Sequence, residues 1–207
     1  MPAKLETLVE RAAAAHGTSV GPEALVHIGA WLARIEEWNS LIDLTAARSR
    51  EELVDIMLAD ALLLAQRVSR DARVVDVGSG AGAPGVPLAL LRTDLRVTLV
   101  EPLGKRASFL RLVLGVVRRA DVVIERARGE AFAGRRQWDT AVSRATLPPA
   151  TWLDLGTQLT AIGGLVWVLL AKSAPPAHPR ATLETDLSYV WPLTGAARRA
   201  VAYRVHS

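Results

Sequence analysis

The feature that most constrains this chain is the run Val74-Val75-Asp76-Val77-Gly78-Ser79-Gly80-Ala81-Gly82-Ala83-Pro84-Gly85. A short apolar strand runs into a glycine-dense turn, and a helix opens near Pro84. A strand that is apolar on both sides reads as one buried in a parallel sheet. Glycines let the backbone take positive φ and come close to a bound molecule. Ligands of open parallel sheets sit at the carboxyl ends of the strands, where this turn would lie. Gly80, Gly82 and Gly85 also satisfy the spacing G-x-G-x-x-G, but that pattern alone is weak, because a glycine turn that only joins strand to helix is common.

The rest of the chain supports the sheet. From Ala72 short apolar runs alternate with helical segments. Strands are predicted at Val74–Val77, Arg96–Glu101, Asp121–Glu125, Trp138–Ser143 and Gly164–Leu170, with helices at Pro84–Leu91, Lys105–Val117 and Pro149–Ile162. Two late strands follow, Tyr189–Leu193 and Ala200–Val205, and the proline-rich stretch Lys172–Thr182 reads as a mobile loop. Such alternation implies an α/β fold with a parallel sheet covered on both faces. Before it the periodicity is helical. Leu5, Leu8, Val9 and Ala12 share one face, and Leu25, Ile28, Trp31, Leu32, Ile35 and Trp38 make a helix of about four turns after Pro22. Asn39–Ala47 reads as a connector. Ser49 and Glu52 form a capping box for a third helix carrying Leu53, Ile56, Met57 and Leu63. Residues 1–70 are thus a helical subdomain and 71–207 an open α/β domain.

Composition excludes several chemistries. Half of the 207 residues are hydrophobic and 22% charged, which rules out global disorder. There is no cysteine, so thiol nucleophiles, disulfides, iron–sulfur clusters and Cys-ligated zinc are excluded. The four histidines, His16, His27, His178 and His206, are scattered, so no metal is expected. The alanine-rich start is broken by Glu6, Glu10 and Arg11, and the longest apolar run, Leu165–Ala171, spans 7 residues against roughly 18–20 for a membrane helix. A cytoplasmic, monomeric protein with no membrane partner is expected. The net charge of +4 is an average: residues 1–101 hold 10 basic and 14 acidic side chains, and residues 102–207 hold 15 and 7.

Two acids sharpen the glycine loop. Asp76 stands two residues before Gly78, giving D-x-G-x-G, and Glu101 ends the second strand. A carboxylate at the first position can hold the loop or a cationic cofactor, and is a poor neighbour for a dinucleotide pyrophosphate. An acid at the second accepts hydrogen bonds from ribose hydroxyls. Solvated strand-end carboxylates are the plainer alternative. The acid after the second strand serves either nucleotide cofactor, but the D-x-G-x-G form favours S-adenosylmethionine over NAD, with an NAD-dependent oxidoreductase supported only by the G-x-G-x-x-G spacing.

A wider set of motifs adds a resemblance. Trp38-Asn39, Asp43-Leu44-Thr45-Ala46, the loop Asp76–Gly82 with Pro84-Gly85-Val86-Pro87-Leu88-Ala89, Gly104-Lys105-Arg106 with Phe109-Leu110-Arg111, then Arg128 and Glu130, and Val142-Ser143-Arg144-Ala145 occur in order between about Leu32 and Lys172. This resembles the bacterial 16S ribosomal RNA guanine-N7 methyltransferase G family, also called glucose-inhibited division protein B. The resemblance implies a Rossmann-like class I methyltransferase sheet with an N-terminal helical extension, S-adenosylmethionine as cofactor and the small ribosomal subunit as partner. It implies cofactor contacts at Gly78, Gly80, Ala83, Glu101, Gly129, Glu130 and Arg144, with Gly129 and Glu130 at the adenine end. The chain departs from the family in having Asp43 where Asn is usual, Leu58-Ala59-Asp60-Ala61 where a His precedes Asp-Ser, and Lys172-Ser173 where Lys-Gly is frequent.

Guanine N7 carries a lone pair and no proton, so methylation there needs no general base, which suits a chain with no His near the loop. Arg144 is the residue expected at the active centre, on the cofactor carboxylate, an RNA phosphate or the acceptor edge of guanine; a salt bridge to a nearby carboxylate is its structural alternative. The RNA surface is expected to involve Lys105, Arg106, Arg111, Arg118, Arg119, Arg135, Arg136, Arg198 and Arg199. For any one of these a solvated charge is the simpler reading, but as a set on the basic half they point to RNA. The six tryptophans read mostly as core rather than as base-stacking platforms. A methyltransferase paralogue with another substrate, and a non-catalytic rRNA-binding relative, are the alternatives.

Overall fold

The computed structural model describes residues 3–171 and 173–207. Three helices come first: α1 (Leu5–Ala15), α2 (Pro22–Ile42) and α3 (Arg50–Ala65). The face predicted for α1 is buried throughout, at Leu5, Leu8, Val9 and Ala12. Pro22 opens α2, where its missing N–H costs nothing. This helix runs past Trp38 to Ile42, so the connector is shorter than expected. Its end is set by Asp43 in the left-handed region (φ 45°) and by Asn39, whose Oδ1 accepts the N–H groups of Leu44 (2.8 Å) and Thr45 (2.7 Å). The predicted capping box is half formed. Ser49 Oγ accepts the Glu52 N–H at 3.1 Å, but the Glu52 carboxylate reaches one residue further back, to the Arg48 N–H at 2.8 Å.

The remaining chain alternates β1 (Arg73–Val77), α4 (Gly85–Leu91), β2 (Arg96–Val100), α5 (Gly104–Val116), β3 (Val123–Glu125), a 3-10 turn (Gly129–Phe132), β4 (Trp138–Ser143), α6 (Pro149–Leu159), β5 (Thr160–Leu170), β6 (Ala181–Val190) and β7 (Ala197–Val205). One seven-stranded sheet results, in the order β3-β2-β1-β4-β5-β7-β6. The first five strands are parallel, as expected. The last two are not: β7 lies antiparallel to both β5 and β6, so the sheet is mixed. Side chains alternate cleanly between its faces. Val74, Val142, Trp167 and Ala202 pack with α1–α5, and Val75, Ala141, Val166 and Val201 pack with α6. The N-terminal helices and the sheet share one continuous core.

Two late boundaries differ from the sequence reading. Residues 160–162 open β5 rather than closing α6. The strand expected at Tyr189–Leu193 begins earlier, at Ala181, inside the proline-rich stretch, and stops at Val190. The reason is its place at the sheet edge. Alternate residues of β6 face solvent and are polar, so hydropathy hides the strand. They pair across to β7, Glu184 with Arg204 and Asp186 with Arg199, each at 2.5 Å. Charged pairs of this kind also blunt an exposed edge. The stretch 173–180 is tied down rather than loose, by the Tyr203 hydroxyl on the Pro176 carbonyl (2.5 Å) and by His178 Nε2 against Asp154 Oδ1 (3.2 Å). Lys172 itself lies outside the described residues.

Candidate functional site: a glycine-loop cavity

A cavity of about 840 Å³ opens at the carboxyl ends of β1, β4 and β5, within the range of small-molecule sites. The glycine loop forms one wall. Gly78, Gly80 and Gly82 all have positive φ (73°, 55° and 108°). Gly78 also sits against Thr146, which a Cβ would strike. The loop is hooked to β2 by the Gly78 N–H on the Val100 carbonyl (2.8 Å). The indole of Trp31 donates to the Ala81 carbonyl at 2.9 Å, so α2 supports the loop directly.

The two acids do more structural work than their spacing shows. Asp76 is fully buried behind the loop, and its Oδ2 accepts the Gly85 N–H at 2.9 Å, holding the start of α4. Its Oδ1 meets no partner among the described residues. Burial pushes this carboxyl up to about 7, opposed by the Gly85 N–H and by the nearby Arg144 charge. Gly85 lies so close to Asp76 and Leu99 that no side chain fits there. Glu101 lines the cavity while bracing it: Oε2 accepts the Gly80 N–H (2.9 Å) and Oε1 the Leu103 N–H (2.8 Å). Each oxygen keeps a second lone pair for a ligand hydroxyl.

Arg144 follows β4 and lines the cavity. Its Nη1 donates to the Ile56 carbonyl and stands 3.7 Å from Asp60 Oδ2. Asp60 is buried, and its other oxygen accepts the hydroxyl of Tyr189. Burial and the Asp60 charge raise the Tyr189 hydroxyl well above its usual pKa, which keeps it a proton donor. Ala83 also lines the cavity. Gly129 and Glu130 are not on its wall: Gly129 is packed against Val77 and Leu155, and Glu130 faces solvent.

The basic residues divide by position. Arg106 and Arg198 line the cavity, and Lys105 is exposed beside it at the start of α5. Arg106 also donates to the Asp43 carbonyl at 2.9 Å. Arg111 is exposed one to two turns further along α5. Arg118 lies beyond the far end of that helix, roughly 18 Å from Arg106. Arg119 is taken up by the fold: it is buried, donates to the Ala89 carbonyl and pairs with Asp121 at 2.8 Å. Arg135 and Arg136 precede β4, at the amino ends of the parallel strands and so at the opposite end of β4 from Arg144, roughly 20 Å away. Arg199 is paired with Asp186.

Sequence reasoning missed Asp55, Asp60, Thr146 and Tyr189. For the first two a signal existed. The helix α3 is apolar on every side, which marks it as buried, and a carboxylate in such a helix must find partners. Asp55 finds them in the β6–β7 turn, accepting the N–H groups of Leu193 (3.1 Å) and Thr194 (2.7 Å) and the Thr194 hydroxyl (2.7 Å). The Asp43 departure is also explained. Its role is a left-handed backbone turn, which Asp and Asn both tolerate. Leu58, at the second departure, is simply core.

Strand order, the antiparallel β7, and a glycine loop after β1 faced by an acid after β2 together define a class I methyltransferase fold. The structure of Burkholderia thailandensis 1,6-didemethyltoxoflavin-N1-methyltransferase with bound S-adenosylhomocysteine is similar, with a TM-score of 0.57 and 16% identity over 87% of this chain and 90% of that one. Within that class, the family described as rRNA small subunit methyltransferase G matches residues 25–183, and the chain belongs to it. It is 34% identical over 175 residues to the ribosomal RNA small subunit methyltransferase G of Methylobacillus flagellatus, covering 84% of this chain and 82% of that protein. Against the protein of the same name from Roseiflexus castenholzii it is 34% identical over 159 residues, covering 74% and 68%.

Proposed function

We propose that the chain methylates N7 of a guanine in 16S ribosomal RNA, using S-adenosylmethionine, in the cytoplasm and as a monomer without a metal. The cavity fits that cofactor. Its glycine wall admits close backbone approach at Gly78 and Gly80, the Glu101 carboxylate suits ribose hydroxyls, and the volume accommodates a nucleoside with an amino-acid arm. When bound, the cofactor supplies a methyl group activated by an adjacent sulfonium.

The observation that carries the reading is the character of the cavity wall. Among the described residues its carboxylates are Asp60 and Glu101, each already accepting hydrogen bonds, the Tyr189 hydroxyl donates to Asp60, and no histidine lines it. A site of this kind suits a nucleophile that arrives with a free lone pair. The N7 lone pair could take the sulfonium-activated methyl group that S-adenosylmethionine would supply, with no proton to be removed by a side chain. No proton moves. Arg144, held by Asp60 and the Ile56 carbonyl, is placed to donate to the O6 edge of the guanine or to a phosphate. Positioning then supplies most of the rate. Lys105, Arg106 and Arg198 form the basic rim on the cavity side.

The test is transfer of label from S-adenosylmethionine to small subunits that lack this methylation, followed by mapping of the modified base. Label at guanine N7 in 16S RNA is expected. Label on another atom, or only on protein, overturns the proposal.

A further inference from the structure

A second groove, of about 570 Å³, adjoins the main cavity, and the two share Ala171, Ser173, Tyr189 and Arg198. At their junction the guanidinium of Arg198 lies 3.5 Å over the ring of Trp191. This tryptophan differs from the others. Trp31, Trp138, Trp152 and Trp167 are core, and Trp38 packs against Phe109. Trp191 instead stands half-buried on the cavity wall, which Trp152 meets only from within the core, and its indole N–H, like that of Trp167, meets no acceptor among the described residues. Its turn is closed by the Trp191 N–H on the Ala196 carbonyl (2.9 Å) and is clamped to α3 through Asp55. The ring is therefore a fixed support.

Arg198 is paired differently from its neighbours on β7. Arg199 and Arg204 each pair with a carboxylate. Arg198 donates only to the adjacent Ala197 carbonyl and has no acidic partner among the described residues. A planar cation fixed on an aromatic ring, without a counter-charge, is what single-stranded RNA recognition uses to stack a base.

We propose that the Arg198–Trp191 stack binds the nucleotide next to the target guanine, its base lying on the guanidinium and its backbone following the second groove past Ser188 and Arg199. This rests on the RNA substrate reading above. It assigns these residues a stacking role distinct from general attraction to phosphate.

The test is steady-state methylation of methylation-deficient small subunits by wild type, Arg198→Ala, Arg198→Lys and Trp191→Leu, with S-adenosylmethionine affinity measured in parallel. Arg198→Ala and Trp191→Leu are expected to raise KM for subunits about tenfold, with the cofactor Kd within about twofold of wild type. Arg198→Lys is expected to rescue poorly, because an ammonium has no flat face to stack. Full rescue by Lys overturns the stack in favour of a simple charge. An equal rise in cofactor Kd places the pair in the cofactor site and also overturns it. An unchanged KM in an active Arg198→Ala enzyme overturns the platform alone, whereas wild type that labels no subunits overturns the RNA reading and the platform with it.

Discussion

Asp60 Oδ2 stands 3.7 Å from Arg144 Nη1, joining the middle of α3 to the end of β4 at the cavity wall. The same carboxylate accepts the Tyr189 hydroxyl, so three distant parts of the chain fix one guanidinium. Asp60→Asn keeps the shape but removes the charge facing Arg144. It is expected to lower kcat for subunit methylation about 3- to 10-fold, the scale of a partly buried ion pair that makes no direct hydrogen bond, with cofactor Kd little changed. Tyr189→Phe is expected to act in the same direction and more weakly. Stopped kinetics with saturating cofactor separate the two, and an unaltered kcat in Asp60→Asn would mean that Arg144 is held well enough by the Ile56 carbonyl.

Asp55 clamps the β6–β7 turn to the helical region through the N–H groups of Leu193 and Thr194 and the Thr194 hydroxyl. Asp55→Ala leaves these donors unmatched. A loss of about 2–4 kcal/mol is expected in denaturant unfolding, with accelerated hydrogen exchange at Leu193 and Thr194. Uniform acceleration across the sheet instead would show that the turn opens only on global unfolding.

The parallel part of the sheet was legible because its strands are largely buried on both faces and read as mostly apolar runs, Val74–Val77 and Leu165–Leu170 among them. The edge strand was not. Thr182, Glu184, Asp186 and Ser188 present polar side chains along β6, and only their partners Arg199 and Arg204 on β7 make a strand of them. The glycine loop and Arg144 were legible as motifs. Asp60 and Tyr189 were not, because they lie 129 positions apart in sequence and meet only in the folded chain. The basic set was too broad: nothing in a list of arginines separates Arg198, on the cavity, from Arg119, locked to Asp121.

Asp76 gives the fold a pH signature. Its carboxyl is raised from an ordinary 3.8 to about 7 by burial. Between those values the folded chain binds more protons than the unfolded one, so stability falls as pH rises from about 4 through 7 and then levels. The change is expected to be on the order of a few kcal/mol. Carboxylates paired with arginine, such as Asp94 with Arg92, act with the opposite sign and only in acid. Urea unfolding at several pH values should show the decline in wild type. Asp76→Asn, neutral and able to accept from Gly85, should flatten it; a decline that persists in the variant assigns it to another group.

Gly78 combines positive φ with contact against Thr146. Gly78→Ala meets both obstacles, and is expected to cost about 1–3 kcal/mol of stability and to weaken cofactor binding by an order of magnitude or more. Adding Thr146→Gly removes the side-chain collision, which Ala would not because its Cβ stands 2.8 Å away, but not the backbone strain, so partial recovery of binding is expected by calorimetry. Complete recovery would mean that strain at φ 73° is negligible, and none would mean that the loop has shifted as a whole.

The salt dependence of RNA binding separates the basic residues that the fold has sorted. Arg198 lines the cavity and the exposed Lys105 adjoins Arg106, which lines it too, whereas Arg135 and Arg136 lie at the other end of β4. Each phosphate contact contributes a slope of about 0.9 in log affinity against log salt for duplex and about 0.7 for single strands. Lys105→Ala is therefore expected to weaken subunit binding and to reduce the slope by nearly one unit. Arg135→Ala is expected to change neither, since its guanidinium sits over Phe132 at 4.8 Å on the far side. Binding measured between low and high salt decides the matter. If Arg135 lowered the slope as much as Lys105 does, the RNA would have to wrap from the cavity to the amino ends of the parallel strands, a path of roughly 20 Å that three or four extended nucleotides would need to cover.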